Sequence, residues 1–182
     1  MTERKLANPG PLGLLGFGMT TILLNLHNAQ IIPLSIVIIA MGMALGGLAQ
    51  IIAGIFEFKN GNTFAGTAFT AYGTFWLSLV AIWMLAPAGL EADAISMGYY
   101  LSIWGIFTGF MFIGTLTHNR ATQVVFGSLT LLFALLAIGD FTGITWIKLL
   151  AGYEGIFCGA SAFYSAVGQI VNAEHNKTIF PL

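Results

Sequence analysis

Charge is scarce in this sequence. Six lysines and arginines and seven aspartates and glutamates are spread over 182 residues, 7% of the chain, too few to coat a water-soluble domain. The basic residues form no patch, which excludes the electrostatic footprint of a nucleic-acid-binding protein. Cysteine is rarer still. A single Cys158 excludes an internal disulfide and a cysteine-rich metal centre. His27, His118 and His175 stand in no HxxxH or HExxH spacing, so neither a metal nor a cofactor is expected. No strand pattern is present to host a phosphate loop or dinucleotide fingerprint. Ser161, in CGASAF, has no histidine at its depth to activate it as a nucleophile. Enzymatic activity is not expected. No period of 20 to 50 residues recurs, and the last three spans are not an inverted copy of the first three, which weighs against a rocking two-repeat transporter.

What the chain has instead is apolar length. Hydrophobic residues make up 57% of it, and runs of roughly 20 such residues cross about 30 Å of hydrocarbon. Six runs qualify, at approximately 11–26, 33–56, 63–85, 95–116, 121–138 and 145–171, with little left over for a second domain. The expected fold is an all-α polytopic membrane protein, a single domain of six transmembrane helices over residues 1–182. The breaks are punctuated by turn chemistry: EFKNGN at Glu57–Asn62, the Pro87, Gly89, Glu91 and Asp93 segment, HNR at His118–Arg120, and Gly139–Gly143. Pro33 is expected in the first turn of the second span. The first span follows Arg4 and Lys5 with no small-residue cleavage pattern, so it is expected to be retained.

Counting basic residues in the short connections orients the chain. With the N-terminus inside, Arg4, Lys5, Lys59, Arg120 and Lys177 are inside and only Lys148 is outside. Both termini are therefore expected in the cytoplasm, with the protein in the cytoplasmic membrane. Pairs of glycines four apart, Gly42/Gly46, Gly105/Gly109 and Gly155/Gly159, predict close helix crossings within a subunit or in a homo-oligomer.

The opening stretch Asn8–Asn28, NPGPLGLLGFGMTTILLNLHN, is the most irregular. Pro9 and Pro11 fix the helix start, and the unpaired N–H groups of a first turn, with the helix dipole, favour an anion. Gly10 and Gly13 allow close approach, so Asn8, Gly10, Gly13 and Leu14 are candidate carboxylate-binding positions. Ordinary capping and glycine packing account for the same residues. Glu154 is the one carboxylate set well inside a span, a costly position that asks for a function or a partner. Gln50, Asn25 or a backbone carbonyl are its candidate partners. A glutamate hydrogen-bonded between helices and a member of a polar pathway are the two readings.

The first, third and fifth spans run in the same direction and can be compared at equal depth. Phe17, Tyr72 and Leu131 fall at one level, flanked by hydroxyl and small residues that include Thr20, Thr70 and Thr130. Together they would narrow a hydroxyl-lined passage into a dewetting constriction. Spacing alone favours ordinary core contacts.

Asn8–Leu14, continued by GFGMTTILLNLHNA to Ala29, closely resembles the signature of the acetate uptake transporter family, which includes the bacterial succinate-acetate permeases. Gly47–Trp76, GLAQIIAGIFEFKNGNTFAGTAFTAYGTFW, and Gly152–Tyr164, GYEGIFCGASAFY, resemble it too. Gly10 departs from the family's usual alanine. The resemblance implies six helices per subunit, a hexamer, and passage of acetate and related short carboxylates, succinate among them, by an anion channel or with protons. It also implies that Phe17, Tyr72 and Leu131 form the narrow point and that the opening motif serves substrate uptake. A small neutral-solute channel of the ammonia or urea type is the alternative.

Overall fold

A computed structural model describes residues 7–85 and 90–182. Arg4 and Lys5 of the leader, and Pro87 and Gly89 of the third break, lie outside the described residues. The described regular structure is helical: α1 Gly10–Asn28, α2 Ile36–Lys59, α3 Thr63–Leu85, α4 Ala94–Gly114, α5 Arg120–Thr142 and α6 Thr145–His175. Five of the six, α2 to α6, are long and apolar enough to cross a membrane, α4 with the 3-10 turn Thr115–Thr117 that continues it.

Helix ends fall where local chemistry puts them. α2 begins at Ile36 rather than Pro33, because Ser35 is extended (φ −144°, ψ 164°) and its carbonyl accepts the first helical bonds from Ile38 and Ile39. Asp93 caps α4, accepting the backbone N–H groups of Ile95 and Ser96, each at 2.9 Å. Asn119 caps α5 through the Thr122 N–H at 2.9 Å. The fifth helix runs past the expected Ile138 to Thr142, since Gly143, not Gly139, takes the left-handed terminating conformation at φ 67°. The sixth continues to His175 and stops on Asn176 at φ 50°.

α2 is not uniform. Gly42–Ala49 winds as a π-helix, a widening that glycine tolerates and that is common at functional sites. Gln50 Nε2 donates to the Gly46 carbonyl at 2.7 Å, so the side chain competes for the acceptor one turn back.

The helix at the centre is α1. Nine of its 19 residues are buried, among them Gly13, Gly16, Phe17, Thr20 and Asn25, and it packs most extensively on α6. The fit depends on missing side chains: a methyl group at Gly18 would stand 2.7 Å from the Gly159 carbonyl oxygen, and one at Gly159 would stand 2.7 Å from the Gly18 oxygen. Gly155 accommodates the Asn25 side chain in the same way. On α4 the pair divides: a methyl group at Gly105 would stand 3.2 Å from the Phe133 Cβ, whereas Gly109 has only the Thr130 methyl near it, at 3.8 Å from such a carbon. α4 buries just Gly98, Leu101 and Thr108 and turns Ile95, Tyr99, Ile103, Ile106, Phe110 and Ile113 outward. Beyond α6 the chain folds back. Asn172 accepts the Ile179 and Phe180 N–H groups and donates to the Phe180 carbonyl.

Candidate functional site: an apolar throat beneath a polar vestibule

The C-terminal end of α1 opens into a cavity of about 390 Å³. Its polar wall holds His27, Asn28, Gln30, Asp140 and Lys148, and its floor includes Phe75 and Leu79. Lys148 does not stand free: its ammonium donates to Asp140 at 2.8 Å. α5 and α6 thus place an ion pair, rather than a lone cation, at the vestibule wall.

Halfway along α1 lies a second, separate void of about 20 Å³ lined by Leu14, Phe17, Gln50, Phe69, Tyr72 and Leu129, among others. This is room for about one water molecule. Phe17 and Tyr72 are 6% and 4% exposed, with ring centroids 6.1 Å apart. Tyr72 also contacts Phe107 at 5.7 Å and Phe126 at 6.1 Å, and its hydroxyl donates to Thr108 Oγ1 at 3.0 Å. Thr108 passes the bond on to the Trp104 carbonyl, so the phenol is held sideways. What faces the void is its ring.

Leu131 is not part of this grouping. It is 51% exposed on the outer face of α5, whereas Leu129 is 3% exposed and lines the void. Two residues on a helix are about 200° apart, so Leu129 and Leu131 point to nearly opposite faces of α5, and Leu129 is the one that lines the void. Leu129, Val125 and Phe126, and Phe69 on α3, are the residues sequence reasoning missed. The spacing of Val125, Phe126 and Leu129 was the available signal.

The hydroxyl positions separate as well. Thr20 is fully buried beside Gly46, its hydroxyl without a hydrogen-bond partner among the described residues, as are Gln50 Oε1 and Trp76 Nε1. Thr70 Oγ1 is wedged against Gly54 between α2 and α3. Thr130 bonds to the Phe126 carbonyl at 2.8 Å and lines a groove between α4 and α5, away from the void.

At the opening motif the expected free donors are already used. Pro9 and Pro11 have none, the Gly10 N–H goes to Asn8 Oδ1 at 2.9 Å, and those of Leu12 and Gly13 go to the Pro9 carbonyl. Asn8 Nδ2 donates to Gln169 Oε1 at 3.2 Å. Gly13 is filled by the Phe69 ring, with which a methyl group there would collide. Leu14 alone of the motif lines the void. In place of an open anion site, the start of α1 meets the Glu57 carboxylate, which sequence reasoning had assigned to a turn.

Glu154 does not find its expected partners. Both its carboxyl oxygens are buried without a hydrogen bond among the described residues. Asn25 is committed to the Thr21 carbonyl and Asn28, and Gln50 to Gly46.

Comparison with known proteins is consistent along the whole chain. The succinate-acetate/proton symporter SatP of Escherichia coli K12 is 55% identical over 184 residues, covering 100% of this chain and 98% of that protein. Acetate permease A of Emericella nidulans is 33% identical, covering 98% and 66%. Ammonia transport outward protein 2 of Saccharomyces cerevisiae is 36% identical, covering 94% and 64%. A solved structure described as the bacterial acetate channel SatP superposes with a TM-score of 0.96 at 56% identity, covering 98% of this chain and 99% of that one. With residues 1–182 all matched by the family description, the chain belongs to the GPR1/FUN34/yaaH family.

Proposed function

We propose that the protein is a cytoplasmic-membrane pathway for acetate and related short carboxylates, with succinate as a larger substrate. The observation that carries the reading is the apolar void at Phe17, Tyr72 and Leu129, placed on the same helices as a larger cavity with a polar wall, in a chain so similar to SatP. A wide entrance with a polar wall collects a carboxylate, and an apolar constriction sets a barrier by size and dewetting. The basic-residue count supports cytoplasmic termini, so the vestibule opens outward and the start of α1 lies at the inner mouth. The apolar outer faces of α2 and α4 support a homo-oligomer, a hexamer in this reading, in which each protomer has its own throat. Asn8, Gly10 and Gly13 contribute by shaping the inner mouth rather than by offering free backbone donors.

The test is flux of labelled acetate into vesicles carrying the purified protein. Saturable uptake that other short carboxylates inhibit supports the reading. A second reading, a channel for ammonia or a similar neutral solute, is favoured by the absence of fixed charge at the throat and by the yeast relative. Equal passage of urea and methylamine without competition by acetate would replace the first reading with this one.

A further inference from the structure

We infer that Glu57 is the carboxyl that exchanges a proton with the substrate acid at the inner mouth, an assignment that rests on the acetate reading above. Glu57 is 4% exposed, the least of any charged residue among the described residues. It stands in the last turn of α2, where the dipole of its own helix disfavours a carboxylate, and it reaches across to the start of α1. Its Oε2 accepts Asn62 Nδ2 at 2.9 Å, and Asn62 in turn caps the start of α3 through the Ala65 N–H.

The other oxygen, Oε1, faces Gly10. A methyl carbon at Gly10 would lie 3.0 Å from Asn8 Oδ1, 3.4 Å from Glu57 Oε1 and 3.5 Å from Gln169 Oε1. Side-chain oxygens from the lead-in to α1, from α2 and from α6 therefore converge on one small volume. Asn8 Oδ1 already takes the Gly10 N–H, and Gln169 Oε1 takes an Asn8 hydrogen, yet an amide oxygen has two lone pairs. A proton on Oε1 has these amide oxygens nearby as acceptors, and the ionised form keeps the Asn62 hydrogen bond on Oε2. Each state has its partner in place, so the proton can come and go without a rearrangement of helices. The groups that face Glu57 from the neighbouring elements, Asn8, Gly10, Asn62 and Gln169, do not titrate. Lys59, on the same helix, holds its ammonium over the Phe56 ring at 5.1 Å.

The chemistry follows. An apolar throat passes the neutral acid more readily than the anion. Below it the O–H bond of the acid breaks, the proton forms an O–H bond at Glu57 Oε1, and the carboxylate leaves toward the cytoplasm without meeting a like charge. Glu57 then returns the proton to water at the mouth, so each acid that enters delivers one carboxylate and one proton. α1 carries both ends of this arrangement, with Phe17 seven residues, about 10 Å, from Gly10.

The test uses the full chain in sealed vesicles with labelled acetate. Wild type should accumulate acetate against its gradient when the outside is made acidic. Glu57→Gln should slow the initial rates of acid-driven uptake and of acetate–acetate exchange together, on the order of a hundredfold, the low end of what a positioned proton-transfer group contributes, because each passage uses the same proton transfer. Glu57→Gln that accumulates like wild type overturns the assignment. So does a residual flux in assembled Glu57→Gln whose pH dependence matches wild type, because Glu57 would then be structural. If the amide variant does not assemble, Glu57→Asp decides: a displaced pH midpoint of uptake supports the role, and an unchanged midpoint overturns it. Wild-type protein that passes no acetate removes the acetate reading itself, a failure distinct from any behaviour of the variants.

Discussion

α1 and α4 invert the usual relation between hydropathy and burial. α4 is the more apolar, yet it buries three residues and turns a row of isoleucines and aromatics outward. α1 is interrupted by glycine, threonine and asparagine, is not among the five helices that pass as membrane spans by length and composition, and is the most enclosed. In a bilayer the solvent is hydrocarbon, so an apolar face gains nothing by hiding from it. Burial goes instead to the helix whose small residues permit contact and whose polar residues need protein partners.

The sharpest way to break this comparison is to add volume to each helix. Gly18→Val on α1 drives a side chain into the Gly159 oxygen and the Phe163 nitrogen. Overpacking costs about 1 to 3 kcal/mol where neighbours can yield. Here the neighbours are backbone, so loss of the folded protein in detergent is expected. Gly109→Val on α4 should leave the elution profile and melting temperature close to wild type. Equal tolerance at the two sites would mean that α1 is not the packing centre.

Truncation in the throat comes next. Leu129→Ala should cost about 2 to 5 kcal/mol, as for other buried leucines, and Phe17→Ala a similar amount. Both should raise the ratio of succinate to acetate flux by widening the narrow point. Leu131→Ala should leave stability within about 0.5 kcal/mol and the flux ratio unchanged. If Leu131→Ala alters selectivity and Leu129→Ala does not, the throat lies on the other face of α5.

Glu154 gives a smaller effect of opposite sign. Because both its oxygens are buried without partners, Glu154→Leu should stabilise the protein by about 1 to 3 kcal/mol, the cost of an unsatisfied polar group. It should also keep acid-driven acetate accumulation. A destabilised Glu154→Leu, measured by thermal unfolding, would show that the carboxyl has a partner in the assembled protein.

The smallest expected effect is at the exposed start of α4. The Ser96 hydroxyl and then its N–H, with the Ile95 N–H, hold the Asp93 carboxyl below its ordinary range. A carboxyl depressed in the folded state adds stability that is present above its unfolded value and lost as pH falls through the folded one. Asp93→Asn, which retains the cap but not the charge, should melt slightly below wild type at neutral pH and together with it in strong acid. A gap that widens in acid would contradict the cap's charge dependence.

Membership in the all-helical class, the six helices and most of their ends were determined by sequence, because apolar length, proline, glycine and capping residues act over a few neighbouring residues. The opening motif likewise marked α1 as unusual. Rotation was another matter. Phe17 and Tyr72 could be set at one depth from chain direction alone, but depth along an axis does not fix the angle around it, so Leu131 could not be told from Leu129, the residue that lines the void. The donors of Asn8–Gly13 were spent on Asn8 and Pro9 by local geometry. Glu57, which sequence placed in a turn, was carried under the start of α1 by the packing of α2 against α1 and α3. Such contacts join residues far apart in the chain through helices whose azimuth is chosen only when all their faces compete for neighbours, and that competition takes place in the tertiary structure.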